Sequence, residues 1–160
     1  MNAFVFSKLF YCSTVWANTS QGNVKKLQLA QNLAALIVWR LIKYDHVSEG
    51  RRSFDWLAVK DRLPLNDALM VFKCVNGLVP YYLANMLVPH SHTHTRTTRS
   101  CNLLPIPRFR LSFGQRLFTN RGCWLWNCIS NDLKAADSVN SFRRRLAQKL
   151  LSGEHLCCSE

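Results

Sequence analysis

Leu65, Ala68, Leu69, Phe72 and Val75 recur at three- and four-residue spacing, while Asn66, Asp67, Lys73 and Asn76 fall largely on other faces. That pattern predicts a one-sided amphipathic helix near the middle of the chain. Gly77, just past the last periodic residue, supplies a left-handed C-cap onto which Leu78 can fold back, and Pro80 suits the first position of a following helix over Tyr81 to Val88. Two helices joined by a tight corner are expected. Pro64 interrupts the pattern, because a proline beyond the first turn loses a hydrogen bond and crowds the preceding carbonyl. The helix therefore either begins near Asp61 or is kinked.

Upstream, Phe4, Leu9, Tyr11 and Val15 predict a first helix, and the turn formers from Asn18 to Asn23 end it. Asn23 can cap a long helix carrying Leu27, Ala30, Ala34, Ile37 or Val38, and Leu41 on one face, with Gln28, Gln31 and Asn32 in solvent. A short helical piece from Glu49 to Leu57 would bring Phe54 and Leu57 over it. Downstream, Trp124 and Trp126 read as core packing, with Cys123 and Cys128 beside them. Ser138 can cap a final helix whose apolar face is Val139, Phe142, Leu146 and Leu150, with Arg143, Arg144, Arg145 and Lys149 largely elsewhere. Beyond Leu151 the chain reads as a frayed tail.

Between these helical parts the pattern changes. His90 to Ser100 is almost wholly His, Thr, Ser and Arg, with no apolar period, which predicts a loop or an edge segment. Pro105 and Pro107 exclude a helix interior around Ile106, and Phe109, Leu111 and Phe113 alternate with Arg108, Arg110 and Ser112 at the strand period. The expected fold is mainly α, with a small extended or β insert around residues 96–113. Its segments run 1–89 (helical), 90–113 (basic loop and extended chain), 114–151 (helical) and 152–160 (tail).

Composition adds three things. With 160 residues and 48% hydrophobic content the chain can bury one modest core. Lys and Arg number 21 against 9 Asp and Glu, a formal charge of +12, which favours a polyanionic partner such as nucleic acid, RNA or DNA, or an anionic membrane surface. Seven cysteines, an odd number at irregular spacing in a chain rich in Leu, Val and Phe, read as reduced thiols of an intracellular protein, nuclear or cytoplasmic. The most apolar run, Leu33 to Trp39, is closed by Arg40, well short of the roughly 20 residues of a membrane span. Met1 to Ala17 has the apolar character of a secretory signal but lacks a basic start, and Lys8 interrupts its centre.

Several strings resemble the region of non-LTR (LINE-type) retrotransposon reverse transcriptases that lies beyond the catalytic palm. They are Trp56-Leu57-x-Val59-Lys60-x-Arg62 followed by Phe72-Lys73-x-x-Asn76-Gly77-Leu78-x-Pro80-x-Tyr82-Leu83, and upstream Phe6-Ser7-Lys8-Leu9-x-Tyr11-Cys12, Leu27-Gln28-x-x-Gln31-Asn32-x-Ala34-Ala35 and Tyr44-Asp45-His46. Further on come Arg96-x-x-Arg99-Ser100, Leu103, Pro107-Arg108-x-Arg110, Phe113-Gly114-x-Arg116-x-Phe118, Trp126-Asn127, Leu133 and Ser138-x-x-x-Phe142. The resemblance covers roughly residues 4–150. It implies a helical thumb-like bundle, a piece that starts inside a larger reading frame, and a role in gripping a template–primer duplex.

Polymerase chemistry needs clustered aspartates that hold two metal ions. Asp45, Asp55, Asp61, Asp67 and Asp132 are single and scattered, so no enzyme activity and no cofactor is expected. Asp45 with His46 lacks a third positioned group and is read as a helix-end hydrogen bond rather than an acid–base pair. His90, His92, His94 and Cys101 could in principle offer four zinc ligands, but no Cys-x-x-Cys completes a recognised zinc spacing. The candidate nucleic-acid-binding residues are Arg96, Arg99, Arg108, Arg110, Arg116 and Arg121, with contacts of low sequence specificity. A decayed retroelement copy without function, a host protein that keeps a basic RNA- or DNA-binding module, and a small zinc hydrolase are the alternatives.

Overall fold

Apolar side chains on several sides of one helix give its neighbours a common surface to pack on. A computed structural model describes residues 5–40, 47, 56–89 and 103–153, and α4, Val59–Val75, is that helix. Before it come α1 (Ser7–Leu9), α2 (Ser13–Trp16) and α3 (Gln21–Trp39). After it come α5 (Tyr81–Ala84), α6 (Ser112–Gln115), α7 (Phe118–Cys128), α8 (Asn131–Lys134) and α9 (Val139–Leu151). Helices α2, α3, α5, α7 and α9 all pack on α4. The fold is mainly α, and the described residues contain no strand.

The centre of the core is aromatic. Phe72 of α4 stacks on Phe142 of α9 with ring centroids 4.5 Å apart, and Trp126 of α7 lies 6.4 Å and 6.3 Å from those two rings. Leu65, Ala68, Val71, Leu87, Leu104, Ile129, Leu133 and Leu146 complete one buried cluster around them. Close approach of α7 to α4 depends on Gly122, where an added Cβ would come within 2.9 Å of Val71 Cγ2. Trp124 departs from the expected core role and is 52% exposed, because it lies about 200° around α7 from Trp126.

The corner after α4 forms as expected. Gly77 has φ +66, Leu78 N–H donates to Lys73 O at 2.9 Å and Gly77 N–H donates to Cys74 O, which is the paired bonding of a Schellman cap. Helix α4 begins at Val59 and runs through Pro64, and Lys60, whose carbonyl loses its donor to the proline, is exposed to water. Helix α5 ends at Ala84 rather than near Val88, and Pro80 is its N-cap residue rather than its first turn. At α9 the Ser138 hydroxyl accepts from Ser141 N–H at 3.1 Å, and Phe142 and Leu146 are fully buried.

The N-terminal part differs from its pattern. Two short helices replace the single one, separated at Cys12 by a left-handed backbone (φ +47), and Tyr11 and Val15 are exposed. Helix α3 begins two residues before Asn23, whose side chain donates to Thr19 Oγ1 instead of capping. It buries Gln31, Ala34 and Ala35 and exposes Leu29, Leu33 and Ile37. The cause is polar: Gln31, 1% exposed, donates to Leu57 O at 2.8 Å, and Gln28 Oε1 accepts from Val59 N–H at 2.8 Å. Two glutamines expected in solvent thus clamp the backbone that starts α4. Leu41 and most of the Glu49–Leu57 piece, Phe54 included, lie outside the described residues.

Candidate nucleic-acid interface

Arg108 and Arg110 sit in the run that follows Pro105 and Pro107, where proline denies the backbone a helix. Asn127, on α7, takes the place of a partner strand. Its side-chain oxygen accepts from Leu104 N–H at 2.9 Å and its amide donates to Leu104 O at 3.0 Å. Leu104 is buried in the core by this clamp. Further along, the Phe109 ring lies where a Cβ on Gly114 would stand, 2.5 Å from that position, so the backbone of α6 can approach only because Gly114 has no side chain. The expected strand from Phe109 to Phe113 is not formed: with no strand beside it to take its N–H and C=O groups, the chain turns into α6 at Ser112 and bonds locally.

This anchoring leaves Arg108, Arg110 and Arg116 exposed, and none is paired with a carboxylate among the described residues. The sequence between Asp67 and Asp132 has no acidic residue to offer one. Arg96 and Arg99 lie outside the described residues, as do His90, His92, His94 and Cys101. Among the described residues no group of His, Cys, Asp and Glu could hold a metal ion.

Arg121 is different from the other arginines of the row. Its Nε donates to Asp67 Oδ2 at 3.0 Å, and Nη2 lies 3.0 Å from the same oxygen. Nη1 donates to Arg116 O at 2.8 Å and Nη2 to Thr14 O at 3.0 Å. One guanidinium therefore joins α2, α4 and α7 and the end of α6. Its side chain is 23% exposed and that of Asp67 6%. The position expected to face phosphate is an internal tie, because Asp67 lies on the buried side of α4 and not on the polar face its residue type indicates. Burial pushes the Asp67 carboxyl above its ordinary 3.8, against the hydrogen bond and charge of Arg121, which pull it down.

One basic residue without an assigned role also stands out. Arg62, half-buried on α4, has its guanidinium carbon 5.7 Å from the centre of the Phe10 ring, and its Nε is buried with no hydrogen-bond partner among the described residues. Burial, and then the charge of Arg143 on α9, push its pKa below the usual arginine value. The sequence carries a signal for both: neither Arg62 nor Arg143 has an acidic residue three or four positions away, the spacing at which a helix supplies an ion pair.

The cysteines divide. Cys74 and Cys123 are buried free thiols pushed up by burial, Cys123 to about 11, which makes them packing residues rather than nucleophiles. Cys128, in contrast to the reduced state expected from the sequence, is disulfide-bonded. No described helix is long and apolar enough to cross a membrane. Comparisons with protein-family models, with curated proteins and with solved structures return no match to this chain.

Proposed function

We propose that the chain is a non-catalytic nucleic-acid-binding module, a segment of a non-LTR reverse transcriptase from beyond the palm that grips a template–primer duplex. The observation that carries this reading is the exposed and unpaired state of Arg108, Arg110 and Arg116 in a stretch without acidic residues. Arginine forks match phosphate oxygens, and contacts of that kind position a protein on a strand without reading its bases. The anchoring of the segment supports the same role, since Asn127 and Gly114 hold its backbone against the core and leave the cationic ends in water.

Catalysis is not part of the proposal, because the acidic residues are single and scattered where polymerase chemistry needs a cluster. Purified protein is expected to incorporate no nucleotide on any primed RNA or DNA, and magnesium-dependent primer extension would contradict this. The binding test uses the full chain with duplexes of unrelated sequence. Dissociation constants on the order of 10⁻⁴ to 10⁻⁶ M at physiological salt are expected, with log affinity falling by about 0.9 per neutralised phosphate as log salt rises. No binding, or binding indifferent to salt, would overturn the reading.

A further inference from the structure

We propose that Phe113 is a stacking platform for an unpaired base, so that the basic segment takes a single strand as well as a duplex. This inference rests on the nucleic-acid reading above and names a second form of ligand for that surface. Phe113 is 68% exposed and has no part in the core cluster. Its ring meets no other aromatic ring and no cation among the described residues. The backbone beneath it is nevertheless held firmly. Gly114 is buried against the Phe109 ring. Beyond it, Gln115 O accepts from Asn120 Nδ2 and Arg116 O from Arg121 Nη1, each at 2.8 Å, which ties the end of α6 to α7. An apolar ring is thus kept in water by a backbone that is fixed on either side of it.

The charges around the ring select its occupant. Arg110 stands three residues before Phe113 and Arg116 three after, and both are exposed without a carboxylate partner among the described residues. Arg116 N–H donates to Phe113 O at 3.1 Å, so these two residues are neighbours on the surface of α6. The nearest acidic residues along the chain are Asp67 and Asp132. An apolar protein surface laid over Phe113 would leave the two guanidinium groups uncompensated, and charged residues are depleted from the centres of such interfaces. A single strand instead supplies, in every nucleotide, a base with a π-face for the ring and a phosphate for an arginine. Bases inside a duplex are already stacked and offer no such face.

The test uses the full chain and the variants Phe113→Ala, Phe113→Leu and Phe113→Tyr. The probes are a short unstructured oligonucleotide, as RNA and as DNA, and a blunt duplex of the same sequence. Phe113→Ala is expected to weaken single-strand binding roughly 5- to 150-fold, the worth of one stacked base. The slope of log affinity against log salt should stay as in wild type, because no phosphate contact is lost. Blunt-duplex affinity and melting temperature should also be unchanged. Phe113→Tyr should bind single strands like wild type, and Phe113→Leu, apolar but without a π-face, should not. Irradiation of a bromouridine-substituted strand should place the crosslink on the peptide that contains Phe113. Wild-type single-strand affinity in Phe113→Leu, or equal losses on single strand and duplex, would overturn the inference, as would a Phe113→Ala variant that melts well below wild type. Unchanged single-strand binding by Phe113→Ala would remove the platform and leave the proposed function standing. If wild type binds single strands through Phe113 but binds no duplex, the platform stands and the duplex grip fails; if it binds neither, both readings fail.

Discussion

Arg121 shows how little a charge in a sequence says about where it is used. It sits in a basic row, yet its fork is held by Asp67 and by two backbone carbonyls. Replacing it with Met is expected to cost about 3–5 kcal/mol at pH 7, since an uncompensated carboxylate is left inside. The pH dependence has a definite sign. The folded Asp67 already has a raised pKa, so its contribution to stability is fully present below about 3.8 and is lost as pH rises through the folded value. Without Arg121 the folded value rises further, and the penalty of Arg121→Met shrinks as the solution is acidified. Denaturant titrations of both proteins across pH 4–8 measure it, and a penalty that grows on acidification would contradict the assignment. Phe72, stacked on Phe142 and 2% exposed, is the apolar counterpart. Phe72→Ala should cost about 3–5 kcal/mol and Lys73→Ala little, and equal effects would show that α4 turns another face to the core.

At the scale of elements, legibility followed how one-sided each pattern is. Helix α9 has apolar residues on one face and arginines elsewhere, so its buried face and its Ser138 cap are readable from the residues alone. Ser138→Ala should therefore cost about 1 kcal/mol by removing the bond to Ser141 N–H. A thermal melt unchanged by that substitution would mean that the cap contributes nothing. Helix α3 is apolar nearly all round, with Leu27, Leu29, Leu33, Leu36, Ile37 and Val38 pointing in several directions. Hydrophobic period cannot choose among such faces, and the hydrogen bonds that Gln31 donates to Leu57 O and Gln28 accepts from Val59 N–H decide instead. The segment after Pro107 alternates like a strand, but alternation needs a neighbouring strand to become a sheet. Here Asn127 supplies only the two bonds that hold Leu104.

On the scale of the whole molecule, charge and core are separated along the chain. The apolar cluster around Phe72, Trp126 and Phe142 draws on residues from 57 to 146, while exposed arginines stand on the segment that crosses from Leu104 to α7 and on α9. Of the candidate interface, the absence of acidic residues was legible in the sequence. The internal use of Arg121 and the burial of Arg62 Nε were not, since both depend on which helices meet. The central claim is that the exposed basic segment meets nucleic-acid phosphate. Its most direct test is the salt dependence of duplex binding by wild type and by the double variant Arg108→Gln, Arg110→Gln. The account predicts weaker binding to unrelated duplexes by similar factors, a slope of log affinity against log salt reduced by up to about two units, and an unchanged helical circular dichroism spectrum. Unchanged affinity and slope in a folded double variant would contradict it.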